Sequence, residues 1–215
     1  MRYLYILLFS IALASDDHSS ESKIDENCKD ITKDNISERS FTNEYVGTFN
    51  GKRIEYSAGL KEKVLYEKDN PDAPQASFFY TEYIAKNGNQ RPVIFSFNGG
   101  PGSASLWLHM GVLGPKVIKV PSNASDDGSP PYKIVDNKLS PLSEADLVFI
   151  DPIGTGYSRA IGCHTGEEFW GVNEDPKIIA EFIRRWITDN KRWNSPRYIL
   201  GCLLYTSDAA DDETS

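Results

Sequence analysis

Apolar and polar positions change period several times along the chain, and each change marks an element. Through 45–49 and 53–58 they alternate on either side of Asn50-Gly51, the strongest short-range signal for a two-residue hairpin. A further strand is predicted over 63–66. After the loop Asp69-Asn70-Pro71-Asp72-Ala73-Pro74, a long aromatic strand is predicted over 76–85, closed by Asn87-Gly88-Asn89. From 93 to 97 the run Val-Ile-Phe-Ser-Phe is almost continuously apolar, as in a strand covered on both faces. Leu147-Val148-Phe149-Ile150-Asp151 and Arg197-Tyr198-Ile199-Leu200-Gly201 read as further core strands, and 116–120 as an edge strand. Between the last two core strands the period becomes helical. Over 173–193, Ile178, Ile179, Phe182, Ile183, Trp186 and Ile187 form one stripe, a packing face, with Arg184, Arg185 and Lys191 off it or near the C-terminal end. Asn173 can cap this helix, Glu174 and Asp175 suit its positive end, and Pro176 fits its first turn. Antiparallel strands feeding parallel ones, with a helix between, predict an α/β fold with a mixed, mostly parallel sheet flanked by helices.

Two turns interrupt the pattern where chemistry is expected. The strand over 93–97 runs into Asn98-Gly99-Gly100-Pro101-Gly102. Three glycines permit backbone angles that a side chain forbids, and Pro101 removes one donor. Such a turn can hold a backbone N–H pointing into open space. Ser103 or Ser105 can then cap a short helix reaching His109 or Met110. A phosphate cradle is poorly supported, because neither G-x-x-x-x-G-K-[ST] nor G-x-G-x-x-G is present. An oxyanion loop after an early strand fits better than a merely structural turn. The second turn, 153–156, follows Asp151 on the carboxyl edge, where open sheets place their sites. Asp151 is a candidate catalytic carboxylate, but an acid at a strand end more often fixes the next turn by local hydrogen bonds.

Charge changes the picture little. The formal net charge is −8, from 31 acidic and 23 basic residues. Six of the acids lie in 15–30 and four in 202–215, leaving 21 acids against 20 bases in 31–201. The working part is therefore near neutral, and the absence of a basic patch argues against nucleic acid or a membrane surface as partner. Residues 1–14, with Arg2, an apolar core and Ala12-Leu13-Ala14, read as a secretory signal too short to span a bilayer as a mature helix. The polar, acidic stretch 15–40 reads as a disordered leader, and 41–201 as one α/β unit. Export to a secreted or periplasmic location follows. The three His and three Cys show no metal-like spacing, so neither a metal nor another cofactor is expected. In an exported protein Cys28 and Cys163 are free to pair, leaving Cys202 as the odd thiol.

Asn98-Gly99-Gly100-Pro101-Gly102-Ser103-Ala104-Ser105, with Leu113-Gly114-Pro115 after it, resembles the first signature of the serine carboxypeptidase family, which has the α/β-hydrolase fold. Asp151-Pro152-Ile153-Gly154-Thr155-Gly156-Tyr157-Ser158 resembles the next signature of that family. The likeness runs from about residue 45 to 201. A proline-iminopeptidase loop is similar but begins with His rather than Asn. The resemblance implies a peptide substrate with a free C-terminus, a serine nucleophile with a His base, and no cofactor. It implies that the Gly100 backbone N–H is one oxyanion donor, and that Asn98 and the Gly99 backbone help bind the terminal carboxylate. It also marks departures: Ser103 stands where many eukaryotic relatives have Cys, and Val112 where an acidic residue is often found.

The strand ending at Gly201 should next deliver a G-x-S-x-G elbow, typically Gly-Glu-Ser-Tyr-Gly in this family. Here Cys202-Leu203-Leu204-Tyr205 follows. Cys202 takes the place of the glutamate and Leu203 that of the serine, and no elbow surrounds Cys202 to make it a substitute nucleophile. Of the histidines, His18 lies in the leader, His109 after the glycine turn and His164 in a Gly/Thr loop. The expectation is an inactive N-terminal part of a serine carboxypeptidase-like hydrolase, with 202–215 a non-native tail. The alternatives are an acyltransferase or aminopeptidase on the same scaffold, or a secreted binding protein that keeps the glycine loop.

Overall fold

The computed structural model describes residues 36–86, 88, 90–99, 102–119, 132–171 and 173–202. The N-terminal half is a meander. Strand β1 (Ser40–Phe49) turns through Asn50 and Gly51 into β2 (Lys52–Tyr66), and β2 pairs antiparallel with β3 (Pro74–Ala85). Both turn residues take positive φ, +50° and +79°, as the right-handed twist of the paired strands demands of a two-residue loop. The strand expected over 63–66 is no separate element. It is the end of the 15-residue β2, where the register shifts at Leu65/Tyr66. Just before β1, Glu38 accepts from the Val64 N–H at 2.9 Å and pairs with Lys63 at 3.0 Å.

The second half builds the parallel part. Strand β4 (Val93–Asn98) leads to a single helical turn, α1 (Leu106–Leu108), and a π-helical turn over His109–Leu113. Strands β5 (Lys116–Ile118) and β6 (Ile134–Asp136) then form their own antiparallel ribbon. The segment expected as an edge strand thus leaves the main sheet. Strand β7 (Asp146–Ile150) follows, then the short β8 (Arg159–Ala160), a 3-10 turn (Gly166–Phe169), helix α2 (Glu174–Asp189) and β9 (Arg197–Cys202). The sheet order is β1-β2-β3-β7-β4-β9, with β8 also on β3. Strands β7, β4 and β9 are parallel, and the other pairings are antiparallel. The sheet is mixed, as expected for this α/β fold, but among the described strands only the β7–β4 and β4–β9 pairings are parallel, so the parallel part lies at one end and does not predominate.

Helix α2 packs on one face. Phe182 lies 5.1 Å from both Phe78 and Tyr80, and Trp186 meets Phe95 edge-on at 5.3 Å. Aromatic pairs at such separations add about 0.5–1.5 kcal/mol beyond the area they bury. Its predicted apolar stripe is the buried one, with Ile183 at its margin. The Trp186 indole N–H donates to the buried Glu82 carboxylate at 2.8 Å, a polar anchor between helix and sheet. Two end details differ from expectation. The helix stops at Asp189, where the Asn190 side chain donates to the Trp186 carbonyl, and Asn173 makes no side-chain cap bond. On the opposite face Leu108 and Leu113 pack with Leu142, Leu147 and Phe149.

The connection leaving β4 therefore runs over one face and the connection leaving β7 over the other. Two neighbouring parallel strands whose connections part in this way open a crevice at their carboxyl ends. Among the described residues no helix is long and apolar enough to cross a membrane.

Candidate active site

The crevice lies between the turn after β4 and the turn after β7, both read from the sequence as functional. Parallel pairing sets Asn98 beside Cys202, and the Gly99 N–H donates to the Cys202 carbonyl at 2.7 Å. The ends of β4 and β9 are thus stitched together beside the glycine turn. Gly100 and Pro101 lie outside the described residues. Gly102 re-enters with φ +93°, exposed, and with open space where a side chain would stand.

Ser105 is the hub that holds this turn. Its hydroxyl bonds to the Ile150 carbonyl and accepts from the Asn98 N–H at 3.2 Å, and its own N–H donates to Asp151 Oδ1 at 2.8 Å. Neither Ser105 nor Ser103 caps the helix as the sequence suggested. The Ser105 side chain makes no cap bond, and the Ser103 hydroxyl reaches only the Ala104 carbonyl. The cap comes from Asn98, whose Oδ1 accepts from the Leu108 N–H at 3.2 Å. A strand-end side chain thereby satisfies a helix-start donor that would otherwise be orphaned. With Oδ1 so used, the donors of the Asn98 amide group are its two Nδ2 hydrogens.

Asp151 works across the crevice rather than within its own turn. Burial raises its pKa above the usual carboxylate range, and the Ser105 N–H partly offsets this. A Cβ on Gly156 would fall 2.1 Å from Asp151 Oδ2, so only glycine fits there. The turn itself is closed by Thr155, whose hydroxyl and N–H donate to the Pro152 carbonyl at 2.8 and 3.0 Å. The buried Ser158 is no nucleophile candidate. Its hydroxyl accepts from the Phe79 N–H at 2.8 Å and fastens the turn to β3.

Neither described histidine stands ready as a base. His109 stacks on Phe149 at 4.6 Å and shares a 2.6 Å hydrogen bond with the Tyr83 hydroxyl; burial lowers its pKa to about 4. His164 Nδ1 faces Glu168 at 2.7 Å and Nε2 faces Glu67 at 2.9 Å. Burial opposes its charge, but the hydrogen bonds and charges of Glu168 and Glu67 outweigh it and raise the pKa. Cys163 is disulfide-bonded and Cys202 is a free thiol, while Cys28 lies outside the described residues. Among the described residues no group of three or more His, Cys, Asp or Glu is placed to hold a metal ion.

Trp170 is a neighbour of the crevice that the sequence did not single out. Its indole N–H donates to the Ile153 carbonyl at 3.2 Å while the side chain stays exposed. An exposed aromatic in a polar loop just before a helix was the available signal.

The family model for serine carboxypeptidases matches residues 59–201. The chain is 30% identical over 126 residues to serine carboxypeptidase-like 9 of Arabidopsis thaliana, covering 58% of this chain and 27% of that protein. It is 36% identical over 100 residues to the pheromone-processing carboxypeptidase KEX1 of Saccharomyces cerevisiae, covering 46% of this chain and 12% of that protein. A third relative, serine carboxypeptidase-like 36 of Arabidopsis thaliana, is 35% identical over 94 residues, covering 43% and 18%. The chain spans little more than a quarter of the length of these curated relatives at most. With most of its residues matched by the family model, and both signature turns placed on one crevice, the chain belongs to the serine carboxypeptidase family.

Proposed function

We propose that this sequence encodes the oxyanion half of an exported serine-type carboxypeptidase, which releases C-terminal residues from peptides. The observation that carries the reading is the parallel pairing of β4 with β9, which sets Phe97 beside Gly201 and so brings the end of β9 alongside the glycine turn. In this reading the Gly100 N–H is one donor to the tetrahedral intermediate, and the residue after the serine supplies the other. By resemblance the Asn98 side-chain amide and the Gly99 backbone bind the terminal carboxylate; in this chain the Gly99 N–H is given to the Cys202 carbonyl, so the Asn98 amide is the donor proposed here. A peptide whose C-terminus is amidated loses the charge that donor selects.

The 215 residues contain no G-x-S-x-G, and Leu203, at the position following β9, has no nucleophilic atom. We therefore propose that this chain does not itself turn over peptide, and that 202–215 is not the native continuation. Removing the nucleophile alone takes away most of the acceleration in a serine hydrolase. Resequencing the source gene across codon 201 should reveal an elbow. The protein so encoded should cleave blocked dipeptides with a free C-terminus and spare their amides. Equal cleavage of both, or cleavage only from a free N-terminus, contradicts the carboxypeptidase reading.

A further inference from the structure

A cleft of about 790 Å³ lies between the end of β2 and helix α2, and neither signature turn lines it. The buried Phe169 and Ile178 form an apolar floor, while Lys68, Lys177, Arg184 and Arg185 bring cations to its walls. The acids beside them do not balance this charge. Glu181 serves both arginines, at 3.0 and 2.9 Å, and Glu168 faces His164 at 2.7 Å. Glu174 also lines the cleft, but Lys68 and Lys177 make no ion pair among the described residues. The walls therefore hold cations ready for an acidic occupant.

Two anchors bring the N-terminal segment to this cleft. Glu38 is bonded to Val64 and Lys63, and Lys63 pairs in turn with Asp189, the last residue of α2, at 2.9 Å. The second anchor is covalent. The sequence has three cysteines; Cys202 is a free thiol and Cys163 is disulfide-bonded, which leaves Cys28 as its partner within the chain. Cys163 precedes His164, which bridges Glu67, just past the end of β2, and Glu168 on the cleft wall. Val64 and Glu67 stand roughly 10 Å apart along the strand direction, and the chain from residue 28 to residue 38 can reach roughly 33 Å. The span is easily made, and Tyr66 and Lys68 on the cleft wall lie alongside it.

We infer that the acidic segment 16–27, held at its C-terminal end by a bridge from Cys28 to Cys163, docks in this cleft against Lys68, Lys177 and the two arginines. Its charge suits the walls, since Asp16, Asp17, Glu21, Asp25 and Glu26 stand against a single base, Lys23. Its one aliphatic residue, Ile24, suits the apolar floor. Exposed ion pairs are weak singly, but a tether supplies them with a high effective concentration of partner. The inference goes beyond the carboxypeptidase reading and does not rest on it, because the cleft stands apart from the crevice.

The test uses the oxidised 215-residue chain. Peptide mapping by mass spectrometry without reduction should recover Cys28 joined to Cys163. A zero-length carbodiimide, which couples carboxylates only to amines in contact with them, should join an acid of 16–27 to Lys68 or Lys177. The comparison variant carries Asp16→Asn, Asp17→Asn, Glu21→Gln, Asp25→Asn and Glu26→Gln. Lys68 and Lys177 should acylate about fivefold more slowly in the unaltered chain than in this variant, the scale that one or two exposed ion pairs supply. Lys138, just after β6, should acylate equally in both. A different partner for Cys163, equal acylation of Lys68 and Lys177 in the two chains, or no cross-link from 16–27 to either lysine overturns the inference. So does a cross-link joining isotopically distinct chains, which would make the occupant a second copy.

Discussion

The two ends of the parallel strands are built on opposite terms. At the amino end, the fully buried Asp146 carboxylate accepts from the Ala85 N–H at 3.0 Å, Arg91 Nε at 3.1 Å and Arg192 Nη1 at 2.7 Å. Arg192 also donates to Ser195 Oγ and to the Arg91 carbonyl, and Arg91 to the Leu142 carbonyl. At the carboxyl end the turns close through single bonds to hydroxyls and carbonyls, over glycines with positive φ. Charges at the amino end are spent on one another. At the carboxyl end the backbone donors are spent singly, the Asn98 N–H on the Ser105 hydroxyl and the Gly99 N–H on the Cys202 carbonyl. Rigidity is therefore concentrated on the side away from the proposed chemistry.

The sharpest way to break this contrast is Arg192→Ala. It would leave Asp146 as a buried, under-compensated charge, and it should cost about 3–5 kcal/mol in urea-induced unfolding. Arg192→Lys should recover only part, because an ammonium cannot reproduce the guanidinium fork. A loss below about 1 kcal/mol, the scale of a surface pair, would mean the amino end is not the rigid one.

Next comes acid acting on the segment that follows the glycine turn. His109 has a folded pKa of about 4 against about 6.5 unfolded. The unfolded chain therefore binds the proton more readily, and the contribution of His109 is complete above about pH 6.5 and lost as pH falls toward 4. The effect is on the order of 3 kcal/mol by linkage. Urea midpoints from pH 7 to 4 should fall less steeply in His109→Gln than in the unaltered chain. Parallel slopes would refute the assignment.

At the carboxyl end Asp151→Ala should cost about 1–3 kcal/mol, the penalty for an orphaned N–H at Ser105. Its distinctive sign is local: amide exchange at Asn98 and Ser105 should speed up more than exchange at Ala85. Smallest is the His164 clasp. Its pKa is raised on folding, so its contribution is full below about pH 6.5 and is lost as pH climbs through the folded value. For exposed ion pairs this amounts to no more than about 1 kcal/mol. An NMR titration of His164 should show a midpoint above 6.5 that drops in Glu67→Gln and Glu168→Gln.

The elements were legible wherever a local rule decided them. Asn50-Gly51 announced its hairpin, and the spacing from Ile178 to Ile187 its buried helix face. Placement was less legible, because it depends on partners distant in the chain. Nothing near 116–118 shows that this strand pairs with Ile134–Asp136 and not with the main sheet. Asp146 meets Arg192 across 46 residues, and no local period encodes such a pair. At the site the sequence named the two turns but gave the serines of the first the wrong work. Ser105 and Ser158 tie turns to strands, while the helix cap is Asn98, whose Oδ1 meets an N–H ten residues away. A capping rule searches one turn of chain and cannot find a donor that far off.

The most direct test of the half-site account is to map, by mass spectrometry, where a fluorophosphonate attaches to the protein encoded by the resequenced gene. The account predicts one stoichiometric adduct, on an elbow serine in the segment continuing β9, and none on the 215-residue chain. An adduct on Ser103, Ser105 or Ser158, or turnover by the 215-residue chain that Cys202→Ala abolishes, would contradict it.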